Sequence, residues 1–149
     1  MGNLTDIDCN EHNRQEVSVD LKITPGFLMW DAKQLTFDLN IDNPKKRTID
    51  DIEVQFIQNC AVRGVNYRKT IGDFKLRATS NWSTKNYNRI LSIPLGSIRS
   101  AMPPTCSYSI KGGDCNTVIV SYVLTVKVCM SGFCNDIQLK IPVFVCNKQ

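Results

Sequence analysis

The chain has 149 residues, 42% of them hydrophobic and 21% charged, with a formal net charge of +4. That length suits one domain able to bury its own core, and the charge excess is too small to make nucleic acid a partner. No apolar run reaches the roughly 18–20 residues that a membrane-spanning helix needs.

The opening stretch MGNLTDIDCNEHNRQ is polar and lacks the apolar segment of a secretion signal. Gly2 suits myristoylation, but Asp6 stands where Ser or Thr is required. Residues 1–15 are therefore expected to be a flexible tail ahead of a domain over 16–147. From Val17 the pattern has period two, the signature of half-buried strands. VSVDLKI puts Val17, Val19, Leu21 and Ile23 on one face, and TPGF at 24–27 reads as a turn. QLTFDLNIDN is the cleanest strand: Leu35, Phe37, Leu39 and Ile41 alternate with polar residues. NPKKRTID at 43–50 is a polar loop.

DIEVQFIQNCAV continues as a strand whose phase slips at Phe56-Ile57, which predicts a bulge or bend. RGVNYRKT and IGDFKLRA make one or two strands, and SNWSTKNYN at 80–88 is loop-like. RILSIPL is a strand ended by Pro94. Ser97 to Ser107 crosses irregularly, since Pro103-Pro104 suits neither a helix interior nor a sheet centre. TVIVSYVLTVKVCM is the longest strand, SGF at 131–133 turns, and DIQLKIPVFVC closes the chain. Pro142 lacks an N–H, so that last strand sits at an edge or faces a gap in the ladder. Seven or eight strands with turns between them predict an all-β fold, an immunoglobulin-like antiparallel β-sandwich.

The chemistry-bearing residues do not converge. His12 is the single histidine, so neither a Ser-His-Asp nor a Cys-His arrangement has a base. The seven cysteines lack a C-x-x-C pair, which argues against zinc, and without a signal peptide they read as reduced thiols packed in strands. Asp50, Asp51 and Glu53 read as a solvated strand entrance, and Gly112-Gly113 lacks the lysine and helix of a phosphate loop. The expectation is a protein without catalytic residues, metal or cofactor. The functional lead is basic: Lys45, Lys46 and Arg47 share a loop, and Arg63, Arg68, Lys69, Lys75 and Arg77 crowd the next strands. Neighbouring strands would make these a cationic face for a phosphorylated tail or an inositol phosphate head group. The plainer reading is a soluble outer face with lysines guarding strand edges.

The matched stretches VSVDLKITPG, LTFDLNIDNPKKRTIDDIEVQFIQ, LSIPLGSIRSAMPPTCSYSI, VIVSYVLTVKV and DIQLKIPVFV cover most of positions 17–145. Together they resemble the C-terminal domain of the arrestin and α-arrestin family. The resemblance implies a cytosolic adaptor in membrane-protein trafficking or receptor regulation, peripheral at membranes or endosomes. Its partners would be tails of membrane proteins, other trafficking proteins or a companion arrestin N-terminal-like domain. The α-arrestin ligase-recruiting motif is not met, because Cys106 replaces the tyrosine after Pro103-Pro104-Thr105. The alternative is a secreted lipid-binding or immunoglobulin-like sandwich stabilised by disulfides.

Overall fold

Alternation of apolar and polar residues makes strands whose one face must be buried, and the computed structural model has ten of them among its described residues. It describes residues 6–24, 26–29, 31–77, 86–95, 106–109, 117–132 and 134–146, and of 106–109, 117 and 118 the backbone alone. The strands are β1 (Ile7–His12), β2 (Ser18–Ile23), β3 (Phe27–Met29), β4 (Gln34–Asp42), β5 (Ile49–Val62), β6 (Val65–Arg77), β7 (Asn86–Pro94), β8 (Cys106–Ser109), β9 (Thr117–Met130) and β10 (Ile137–Cys146). Beyond the seven or eight expected, the additional ones are β1, β3 and β8. The stretch read as a loose tail contains β1, which pairs antiparallel with β2 from Ile7 opposite Ile23 to His12 opposite Ser18.

One sheet has the order β1-β2-β4-β7, the other β3-β10-β9-β5-β6, with β8 also paired to β9. All described pairings are antiparallel except that of β3 with the end of β10. The core lies between the sheets. Val19, Leu21, Phe37, Leu39, Ile41 and Ile93 enter it from the first; Ile52, Val54, Phe56, Tyr122, Leu124, Val126, Leu139 and Ile141 enter from the second. Each such side chain contributes roughly 1.5–3 kcal/mol by leaving water. Pro142 pairs with Val123 of β9. On its other side β3 reaches only Phe144 to Cys146, so among the described residues no strand pairs with Pro142 there, which suits its missing N–H.

The irregularity expected at Phe56-Ile57 is present, with the extra residue on the partner strand: Phe56 faces Gly72, Ile57 faces Thr70, and Ile71 is left over. Both Phe56 and Ile57 are buried, on opposite faces of the sheet, which is why the apolar alternation doubles there. The β5–β6 hairpin turns through Arg63 and Gly64, both with positive φ (52° and 78°), the φ signature of a type I′ turn. The segments around Ser97–Pro104, the glycine pair 112–113 and the triplets Asn3-Leu4-Thr5 and Asn81-Trp82-Ser83, which match the glycosylation pattern, lie outside the described residues.

The loop between β4 and β5 is held by Asn43, which is fully buried. Its Nδ2 donates to the Arg47 carbonyl (2.7 Å), and its Oδ1 accepts from the Arg47 N–H (2.9 Å). Asn43→Ala leaves both Arg47 groups without that partner, so a loss of about 1–3 kcal/mol is expected in urea unfolding. A loss below about 0.5 kcal/mol would show that water replaces the side chain.

Candidate functional site

Strand register separates the eight basic residues into two groups. Lys45, Lys46 and Arg47 sit in the loop entering β5, with Lys46 at a positive φ of 51°. Lys75 and Arg77 lie near the same end, opposite Glu53 and Asp51. Arg63 lies at the far end of the hairpin, roughly 40 Å along β5 from its entry by the rise per residue, and Arg68 and Lys69, opposite Asn59 and Gln58, lie roughly 30 Å along it. Lys45 pairs with Glu16 at 3.5 Å, and Lys75 lies 3.4 Å from both Asp51 and Glu53. By contrast, Arg63, Arg68 and Lys69 are exposed and have no ion pair among the described residues.

The hairpin tip combines those cations with exposed apolar side chains. On β6, Val65 is 53% and Tyr67 60% exposed; on β9, Ile119, opposite Ala61, is 44% exposed. Alternation puts Val65, Tyr67 and Lys69 on one face of β6 and Asn66, Arg68 and Thr70 on the other. The sequence reading missed the apolar members. The only signal for this geometry was the glycine of Arg63-Gly64, because the flanking V-R-G-V lacks the Asn or Asp that usually announces such a turn.

The entry end of β5 carries a polar cluster on the outer sheet face. Ligand atoms of Asp51, Glu53 and Cys129 lie within 4.8 Å of one another, a spacing that could hold a cation. Lys75 already brings its ammonium to both carboxylates, so the positive charge is supplied by the chain itself. The neighbouring Cys129 thiol, then Lys75 and Arg77, hold the Asp51 carboxyl below its ordinary value. Burial, with Asp51 beside it, pushes the Cys129 thiol up to about 12, so it is not a nucleophile near neutral pH. A carboxyl with a depressed folded pKa stabilises the fold above its unfolded pKa, and that contribution is lost as pH falls through the folded value. Thermal melts of the parent and Asp51→Asn should therefore differ most near pH 7 and converge as pH falls through and below the ordinary aspartate range. A gap independent of pH would exclude this linkage. A polar hollow of about 290 Å³ adjoins the cluster, lined by Gln55, Asp73, Thr125, Lys127 and others.

His12 ends β1, beside a depression of about 320 Å³ with Arg14 and Asp136. Ile90, 72% exposed on β7, borders a hollow of about 250 Å³ with Lys22 and Asp38. Cys9, Cys60, Cys129, Cys134 and Cys146 are free thiols, against the disulfide-stabilised alternative; the side chains of Cys106 and Cys115 lie outside the described ones. Among the described residues no helix is long and apolar enough to cross a membrane.

The family model for the arrestin (or S-antigen) C-terminal domain matches residues 33–149. No curated protein matches the chain. The matched stretch begins after β3, although β2 lies between β1 and β4 and supplies Val19, Leu21 and Ile23 to the core. With the match spanning most of the chain and the two-sheet sandwich on which it falls, this chain is an arrestin-like binding module that belongs to the arrestin C-terminal domain family.

Proposed function

We propose that the chain is a non-enzymatic adaptor in the cytosol that holds acidic or phosphorylated tails of membrane proteins or of other trafficking proteins. The observation that supports this reading is the hairpin tip, where Arg63, Arg68 and Lys69 lack acidic partners among the described residues and Val65 and Tyr67 stand exposed. Unpaired cations offer charge-assisted hydrogen bonds to carboxylate or phosphate. The adjacent aromatic and aliphatic side chains add area that loses water on contact. The loop cations Lys45, Lys46 and Arg47 are the weaker candidate, because one of them already pairs with Glu16.

Titration with a doubly phosphorylated peptide tests the reading. The triple variant Arg63→Ala, Arg68→Ala and Lys69→Ala should bind at least about tenfold more weakly, about 1.4 kcal/mol. Affinity of the parent should fall as salt screens the charges. The variant carrying Lys45→Ala, Lys46→Ala and Arg47→Ala should bind like the parent. Equal binding by the first variant would overturn the assignment. So would binding of an inositol phosphate that the peptide cannot displace, which would point to a lipid head group instead.

A further inference from the structure

The chemistry of the tip alone treats it as a set of charges; its backbone adds a second recognition element. β6 ends its sheet, so one of its edges has no strand beside it among the described residues. The lower part of that edge is closed. The extra residue Ile71 kinks the ladder, and at Gly72 the Pro94 carbonyl and the Ile93 side chain of β7 come within van der Waals contact of the backbone. The upper part, Val65 to Thr70, is exposed at every residue.

The turn determines which main-chain groups point outward. Across a β-turn the Val65 N–H bonds back to the Val62 carbonyl, and Val62 and Val65 are the first pair of the ladder. Alternation along an antiparallel strand then directs the N–H and C=O of Tyr67 and Lys69 toward β5, and those of Asn66, Arg68 and Thr70 toward the open edge. Native edge strands of this kind are blunted by proline or covered. Here the six residues contain no proline and carry Val65 and Tyr67 at more than half exposure. Lysine also guards edges, but Lys69 stands at the closed end of the stretch and leaves the two apolar residues uncovered.

We propose that an extended acidic peptide adds to this edge as a further strand, hydrogen-bonded to Asn66, Arg68 and Thr70. This inference rests on the reading of the hairpin tip as a peptide surface. Charge chooses the occupant: with Arg63, Arg68 and Lys69 unneutralised, the added strand carries carboxylates or phosphates, and its apolar positions cover Val65 and Tyr67. Main-chain hydrogen bonds supply affinity independent of sequence, and the alternate side chains supply preference.

The test uses the full chain and a peptide of alternating glutamate and valine. Asn66→Pro removes an N–H that faces the open edge and leaves the bonds to β5 and all three cations in place. That variant should keep its far-ultraviolet spectrum and melting temperature while binding at least about tenfold more weakly. In the parent, the amides of Asn66, Arg68 and Thr70 should exchange with solvent quickly when free and at least about tenfold more slowly when the peptide is bound. This second measurement decides the matter if the proline variant does not fold. Folded Asn66→Pro that binds like the parent, or unchanged exchange at those three amides in saturated protein, would overturn strand addition. No binding of the peptide would do so as well. If the triple cation variant loses affinity while Asn66→Pro does not, the peptide-surface reading survives and only the strand mode fails. If the triple variant binds unchanged, the peptide surface itself is lost.

Discussion

Phe56→Ala is expected to cost about 3–5 kcal/mol, a large share of the roughly 5–15 kcal/mol that holds a domain of this size together. Phe56 is fully buried, and its ring stacks on Tyr122 of β9 with centroids 5.6 Å apart and planes 12° from parallel. The Tyr122 hydroxyl in turn accepts a hydrogen bond from Gln58 Nε2 at 3.0 Å. Truncation removes the ring from the centre of the sandwich and leaves a void that both sheets would have to collapse to fill. A core this close-packed relaxes only in part, so the cavity adds to the lost transfer energy. The urea midpoint should fall with little change in slope, and the melting temperature should drop by on the order of 10 °C. Tyr122→Phe, which keeps the stack and deletes only the hydroxyl, should cost about 1 kcal/mol. A Phe56→Ala loss no larger than that of Tyr122→Phe would show that the site closes over the missing ring.

Legibility followed how much of each strand's stability comes from its own side chains. β4 alternates without exception, buried at Leu35, Phe37, Leu39 and Ile41 and exposed between them, so its sequence carries the whole signal. β9 was legible over its full span, Thr117–Met130, for the same reason. β1 was not, because Ile7 and Cys9 are only partly buried and Glu11 is exposed. It is an edge strand held by its ladder to β2, and a ladder leaves no pattern in the strand that borrows it. β3 has three residues, too few to show a period, and is placed by the end of β10. The basic residues were legible as residues and not as a grouping. Whether Lys75 is free depends on Asp51 and Glu53 arriving beside it, which is decided by the register across β5 and β6. Arg68 and Lys69 are adjacent in sequence, and for that reason point to opposite faces of their strand.

The other large effect falls at Gly72, where the β6 and β7 edges of the two sheets meet. A Cβ on this residue would lie 2.8 Å from the Pro94 carbonyl oxygen and 2.8 Å from Ile93 Cγ2. The first of these is backbone and cannot rotate away. Nor can its segment retreat easily, since β7 is paired with β4 from Gln34 to Asp42 and the Leu95 N–H donates to the Lys33 carbonyl at 2.8 Å. Gly72→Ala therefore drives β6 and β7 apart rather than displacing a flexible side chain, and a cost of about 1–3 kcal/mol is expected. Gly72→Val adds two methyl groups to the same space and should lie at or above the top of that range. Its melting temperature should fall further than that of Gly72→Ala. The double variant Gly72→Ala with Ile93→Ala separates the two contacts: Ile93 is fully buried, so its truncation alone opens a cavity. If the added methyl is accommodated in that cavity, the pair should be less destabilised than the sum of the single changes by about 0.5–3 kcal/mol. Additive costs would assign the whole penalty to the Pro94 carbonyl, and a neutral Gly72→Ala would mean that the sheet edges are free to part at this point.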